Sequence, residues 1–149
     1  MDHASDCIFC KIFAGELAVS LVHHDDLCTA FMDIQPVNPG HMLVVPNRHA
    51  TYLADLREEE GAQMFRVAQR LAAALRQSGV KCEGLNFFLA DGEAAGQEVF
   101  HVHLHVFPRY RGDGLGLKFS SHYANSVKRA ELDEVAEKIR RALFGKLRH

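Results

Sequence analysis

Apolar residues recur at helical spacing through residues 57–77, where Met64, Val67, Ala68, Leu71, Ala74 and Leu75 share one face. Gly79 follows as a natural stop. A second amphipathic helix is predicted over 130–144, with Leu132, Val135, Ala136, Ile139 and Leu143 on one side. Short apolar runs between turn residues predict strands at 20–24 and 27–33, joined by a turn at Asp25-Asp26, and at 42–45, stopped by Pro46. Further strands are predicted at 85–89 and at 99–107, the last ended by Pro108. Residues 7–14 predict a short helix or turn with Asp6 as N-cap. Pro36, Asn38, Pro39 and Gly40 mark one loop, Gly92 and Gly96 a second, and Gly112, Gly114 and Gly116 a third. Together these elements predict an α+β fold, a mostly antiparallel sheet with two main helices.

The length of 149 residues suits one compact domain, 1–149, with 130–149 as a C-terminal helical extension. A net charge of −2 excludes broad attraction to nucleic acid or to an anionic membrane, while leaving room for a local anion site. The apolar stretches are too short and interrupted to span a bilayer. Met1 to Asp6 lack the basic and apolar regions of a secretory signal, so a cytoplasmic location is expected. Of four cysteines, Cys28 and Cys82 stand alone and are expected to be small buried residues. Cys7 and Cys10 form a Cys-x-x-Cys pair, which in a cytoplasmic protein indicates a metal or redox site before a structural disulfide.

The segment Phe100-His101-Val102-His103-Leu104-His105-Val106-Phe107 carries the most chemistry. Strand side chains alternate, so His101, His103 and His105 share one face while Phe100, Val102, Leu104 and Val106 enter the core. A solvated strand face ordinarily carries Thr, Lys or Glu, and three histidines at period two indicate a site. Clustered imidazoles suit zinc or copper. A neutral imidazole is also a nucleophile that forms covalent intermediates near neutral pH. Gly92 and Gly96 in the preceding loop let backbone amides approach an anion. A nucleophile beside backbone donors is what phosphoryl or nucleotidyl transfer requires.

His101-Val102-His103-Leu104-His105-Val106-Phe107 resembles the His-φ-His-φ-His-φ-φ signature of the histidine triad (HIT) superfamily. Cys7-Ile8-Phe9-Cys10-Lys11-Ile12, Ala30-Phe31-Met32-Asp33-Ile34, Gly40-His41-Met42-Leu43-Val44-Val45-Pro46 and Gly96-Gln97 resemble further family segments, in the family's order. The tail after Pro108-Arg109-Tyr110 looks like that of the Hint-like bacterial members. The resemblance implies that His103 attacks an α-phosphorus to form a nucleotidyl-histidine that water hydrolyses. It implies that His105 hydrogen-bonds the phosphate or leaving group, that His101 supports from behind, and that His41 buttresses the site. Gln97 and Val99 would present polar groups, mainly backbone, to the phosphate. Asp33 would accept hydrogen bonds from ribose hydroxyls, and Ile8, Phe9, Phe31 and Ile34 would wall the base. Ala90 departs from the pattern: many relatives carry Asn or Gln there, and alanine cannot donate that hydrogen bond.

The same resemblance implies a structural zinc site of Cys7, Cys10, His49 and His101, against the alternative of a reduced thiol pair with redox chemistry. The activity implied is hydrolysis of adenosine or guanosine phosphoramidates. Hydrolysis of dinucleoside polyphosphates, or nucleotide binding with little turnover, are the alternatives. A homodimer built on the long helix and a sheet edge is implied, with no nucleic-acid or membrane partner.

Overall fold

The computed structural model describes residues 3–123 and 125–145. Met1, Asp2 and the last four residues of the expected C-terminal extension lie outside the described residues. Two compact units divide at Asp113/Gly114. The first contains helices α1 (Ile8–Phe13) and α2 (Glu58–Gln77) and strands β1 (Leu21–His24), β2 (Cys28–Met32), β3 (Met42–Pro46), β4 (Gly84–Phe88) and β5 (Leu104–Arg109). The strands form one antiparallel sheet in the order β1-β2-β3-β5-β4. Short 3-10 turns lie at His3–Asp6, Leu53–Asp55 and Glu93–Ala95.

Strand alternation sorts the sheet into two faces. Cys28, Ala30, Met42, Val44 and Val106 point to one face and pack with Met64, Val67, Ala68, Leu71 and Leu75 of α2. Phe31, Leu43 and Val45 point to the other and pack with Cys7 and Phe9 at the start of α1. The register places Phe31 beside Leu43 and Leu43 beside His105, so the histidine side of β5 opens on the α1 face. Helix α2 begins with Glu58, Glu59 and Glu60, whose charges suit the positive end of the helix dipole. It stops at Ser78, and Gly79 turns away at φ +84°. Ala74, expected on its apolar face, is exposed, because the stripe is narrower than the spacing suggested.

Three boundaries differ from expectation. Cys7, not Asp6, is the N-cap of α1, and Asp6 ends the preceding 3-10 turn. Strand β5 begins at Leu104 rather than at 99. Continuing the ladder would bring Val102 opposite Pro46, which has no N–H, and the Pro46 carbonyl instead accepts from His101 Nε2 at 2.8 Å. The 101–103 backbone is anchored elsewhere, by Val102 N–H donating to the Ala50 carbonyl. Phe100, expected in the core, is 44% exposed, whereas Val102 and Val106 are buried and Leu104 packs at the core's edge. Pro108 does not end β5: its carbonyl faces Asn38 rather than β4, so its missing N–H costs the ladder nothing. Cys28 is buried as expected, while Cys82 is only half-buried, and no disulfide joins any of the four cysteines.

The C-terminal unit contains α3 (Arg129–Gly145), laced by Lys138–Glu134, Arg140–Glu137 and Arg141–Glu137 ion pairs. Its apolar residues Leu132, Val135, Ile139 and Leu143 are exposed in this chain. Among the described residues no helix is long and apolar enough to cross a membrane.

Candidate active site

A cleft of about 760 Å³ opens on the α1 face of the sheet. His103 and His105 point into it beside His41, Asp33 and Val99, and Ile8, Phe9 and Phe31 form its apolar wall. His103 is 7% exposed and packs edge-on to Phe9, with ring centroids 5.1 Å apart. Its own partner fixes its tautomer. Nδ1 lies 2.8 Å from the His101 carbonyl, which only accepts, so Nδ1 is the protonated nitrogen of the neutral ring and the lone pair of that form is on Nε2.

His105 shows the opposite arrangement. The Val37 backbone N–H donates to His41 Nδ1 at 3.1 Å, so the His41 proton sits on Nε2. That proton is donated to His105 Nδ1 at 2.8 Å, which places the His105 proton on its own Nε2. Burial pushes His105 down to about 4, with the neighbouring His103 and His41 adding to the effect. Burial lowers His41 as well, against the opposing pull of Asp33. Both rings are therefore neutral at pH 7, and their tautomers decide which atoms donate. Asp33 accepts from Gln35 N–H through Oδ1, while Oδ2 lies 3.5 Å from His41 Nε2.

His101, which the resemblance placed behind the site, is fully buried and does not line the cleft. One expected cleft residue lies elsewhere. Gln97 is buried as a staple: its Oε1 accepts from Gly92 N–H, and its Nε2 donates to the Thr51 and Val99 carbonyls. It shapes the 92–97 loop, and Gly96 of that loop lines the cleft with φ +87°. Ile34 lines the cleft but is 88% exposed, a rim residue rather than a buried wall. Ala90 is buried against the cleft. Phe88, Glu98 and Phe107 also line it and were missed. Phe107 was masked by assignment to a core strand, and Phe88 by following another Phe, which breaks the alternation that signals a face.

Next to His103 in the chain, His101 joins Cys7, Cys10 and His49, and the four bring one donor atom each within 4.8 Å of one another. Cys7 Sγ lies 3.4 Å and Cys10 Sγ 3.7 Å from His101 Nδ1, Cys10 Sγ 3.3 Å from His49 Nδ1, and the two Nδ1 atoms 3.2 Å apart. A tetrahedral zinc with Cys and His ligands sets its donors about 3.3–3.8 Å apart, so the spacing fits. Because His101 Nε2–H is committed to the Pro46 carbonyl, its Nδ1 lone pair faces the cluster, the orientation a metal ligand needs. Among the described residues, His49 Nε2 is buried without a hydrogen-bond partner. A second cavity of about 610 Å³ reaches Cys7 and His49 and shares Ile8, Glu98 and Val99 with the cleft.

The loop that carries His49 is held by an ion pair between a buried Glu60 and an exposed Arg48. Glu60, 3% exposed, accepts from Arg48 Nε at 2.9 Å and Arg48 Nη2 at 2.8 Å, and also from Arg57 N–H. The Arg48 guanidinium holds the Glu60 carboxyl down to about 2, from an ordinary 4.5. The depressed carboxyl contributes stability above about pH 4.5, and this contribution is lost as pH falls towards about 2. Glu60→Gln should therefore melt below the wild type at pH 7, with the gap closing between pH 4.5 and pH 2; thermal melts of both proteins across that range check this.

A five-stranded antiparallel sheet with paired histidines in a cleft beside its central strand defines a histidine triad protein. The sequence profile of the HIT domain matches residues 14–112. An uncharacterized HIT-like protein of Methanocaldococcus jannaschii is 40% identical over 134 residues, covering 90% of this chain and 98% of that protein. An adenylylsulfatase of Arabidopsis thaliana is 32% identical over 111 residues, covering 74% and 56%. Among solved structures, a HIT family protein from Bacillus subtilis superposes with a TM-score of 0.82 at 38% identity, over 91% and 96% of the two chains. A zinc-bound histidine triad family protein from Mycobacterium smegmatis gives 0.72 at 36%, over 89% and 99%. A histidine triad nucleotide-binding protein from Candida albicans gives 0.82 at 29%, over 93% and 98%. This chain belongs to the HIT family.

Proposed function

We propose that the protein hydrolyses nucleoside phosphoramidates, or closely related nucleoside phosphate derivatives, through a nucleotide carried on His103. The observation that carries this reading is the opposed pair of tautomers in one cleft, a bare Nε2 on His103 beside an Nε2–H on His105. In the first step His103 Nε2 bonds to the α-phosphorus and the bond from phosphorus to the leaving nitrogen breaks. That nitrogen departs with the electron pair and takes a proton from solvent, while His105 Nε2–H hydrogen-bonds the reacting group. The ring now carries positive charge, and its Nδ1–H lies against the His101 carbonyl, which stabilises it. In the second step a water oxygen bonds to phosphorus and the electron pair returns to His103 Nε2. The water proton goes to solvent. Phe9, Phe31, Ile8 and Ile34 suit an apolar base, and Asp33 keeps acceptor capacity for ribose hydroxyls. The adenylylsulfatase and the nucleotide-binding relatives support a nucleotide as the ligand.

Cys7, Cys10, His49 and His101 would hold a structural zinc, which ties the N-terminal segment to the catalytic backbone and leaves no coordination position for substrate. The zinc-bound relative supports this assignment. A cytoplasmic setting is part of the proposal, and it would keep the Cys7 and Cys10 thiols reduced for a metal. A homodimer is part of the proposal: β4 is a sheet edge with exposed Phe87, and Phe65 stands exposed on α2. Turnover of adenosine phosphoramidate and of a dinucleoside polyphosphate, assayed side by side, tests the function. The phosphoramidate should be the better substrate by kcat/KM. A preference for the dinucleotide would favour the alternative, and turnover of neither would leave a binding protein.

A further inference from the structure

Asn38, Arg109 and Asp113 lie outside the cleft, yet they form a closed polar network beneath the loop that carries His41. Asn38 is buried and spends both amide hydrogens, one on the Pro108 carbonyl at 2.9 Å and one on Asp113 Oδ2 at 3.1 Å. The Asp113 carboxylate also accepts from Arg109 Nε at 2.7 Å, Arg109 Nη2 at 3.0 Å and Tyr110 N–H at 3.2 Å. Arg109 in turn reaches Asn86 Oδ1 on β4 at 2.7 Å. The far side of Asn38 faces the site: its carbonyl accepts from His41 N–H at 3.1 Å, and the preceding residue, Val37, donates its N–H to His41 Nδ1. Gly40 adds a steric constraint, with φ +104° and a Cβ position that would meet Pro108 at 3.2 Å.

We propose that Asp113, acting through Asn38, is a positioning residue that fixes the tautomer of His41 and thereby decides which nitrogen of His105 offers its proton to the cleft. The inference rests on the hydrolase reading for its catalytic consequence, but its physical content does not depend on it. Nothing in an imidazole prefers Nδ1 or Nε2 strongly; the choice is made by whatever each nitrogen faces. Here Nδ1 faces one backbone N–H, that of Val37, in a loop without ladder pairing, while Nε2 faces His105 Nδ1 at 2.8 Å and, more distantly, Asp33 Oδ2 at 3.5 Å. A shift of that N–H away from Nδ1 frees His41 to carry its proton there. His41 Nε2 would then accept rather than donate, His105 would turn its proton inward to Nδ1, and the cleft would face a second bare Nε2. A buried charge-assisted network is a suitable means of holding a loop to that accuracy.

The test is the protonation pattern of the ring nitrogens, read by long-range nitrogen–proton NMR on protein labelled at histidine, in the wild type, Asp113→Asn and Asn38→Ser. The wild type should show Nδ1 bare and Nε2 protonated in both His41 and His105, and the reverse in His103. In either variant the His41 and His105 signals should move towards tautomer mixtures, while those of His103, set by its own carbonyl partner, stay put. With nucleotide substrate kcat should fall about tenfold, as for a weakened transition-state donor, with KM within about twofold of wild type. A merely structural role would disturb His103 and KM together. A wild-type His41 protonated at Nδ1 overturns the proposal, and so do unchanged His41 and His105 signals in whichever variant folds. Loss of turnover in the wild type would instead count against the hydrolase reading, since the NMR readout needs no substrate.

Discussion

Replacing His103 by alanine is expected to remove nucleotide turnover by about 10⁴-fold or more, in line with the loss of a covalent nucleophile in other enzymes. Binding of a nucleoside monophosphate should survive, because the apolar wall and Asp33 supply contacts that do not involve the ring. The distinction matters: an interaction made only as the reaction proceeds lowers kcat, whereas lost ground-state contacts raise KM. One structural side effect must be separated. The His101 carbonyl loses its donor in the alanine variant, and an unsatisfied buried acceptor costs about 1–3 kcal/mol. His103→Asn retains an N–H that can serve that carbonyl, and it should be as inactive as alanine with a smaller loss of stability. Turnover by either variant near the wild-type level would remove His103 from the role of nucleophile.

The second large effect concerns the Cys7–Cys10–His49–His101 cluster. Protein purified without chelator or metal-affinity tag should contain about one zinc per chain, and Cys7→Ser and Cys10→Ser should each contain much less. If free zinc stands about a thousandfold above its dissociation constant, binding stabilises the fold by about 4 kcal/mol. For a chain of this size that corresponds to a fall in Tm of roughly 10 °C when the metal is removed. The chain should nonetheless stay folded, because the α2 face of the sheet forms its own core without the cluster. Elemental analysis and thermal melts read both outcomes. Zinc far below one per chain, with equal melting of the wild type and both serine variants, would leave the cluster a set of packed thiols and imidazoles.

The fold was legible where burial writes its own pattern into an element, a stripe on a helix or a run on a strand. Helix α2 announces itself through Met64, Val67, Ala68, Leu71 and Leu75, and β2 and β3 through short apolar runs, since both of their faces are covered. The period-two histidines and the ordered family segments pointed to residues of which the structure gathers His41, His103, His105, Asp33, Ile8, Phe9, Phe31, Ile34 and Val99 around one cleft. What stayed hidden depends on backbone atoms that have no letter in the sequence. The roles of His101 and His103 separate because one backbone carbonyl, that of Pro46, captures the first ring, and another, that of His101, orients the second. The strand start moved from 99 to Leu104 because a proline faces the continuation of the ladder. Gln97 looks like a ligand-facing amide in the sequence and becomes a loop staple once Thr51 and Gly92 fold beneath it. Asn38 and Asp113, 75 residues apart, carried no local signal.

The covalent chemistry itself is open to one direct measurement. Wild-type protein mixed with excess nucleoside phosphoramidate, quenched within milliseconds into alkali where phosphorus–nitrogen bonds persist, and digested for mass spectrometry, should yield a nucleotidylated peptide with the group on His103. Turnover in the absence of any such adduct, or an adduct on His105 or His41 with His103 unmodified, would contradict the assignment of His103 as the residue that takes the nucleotide.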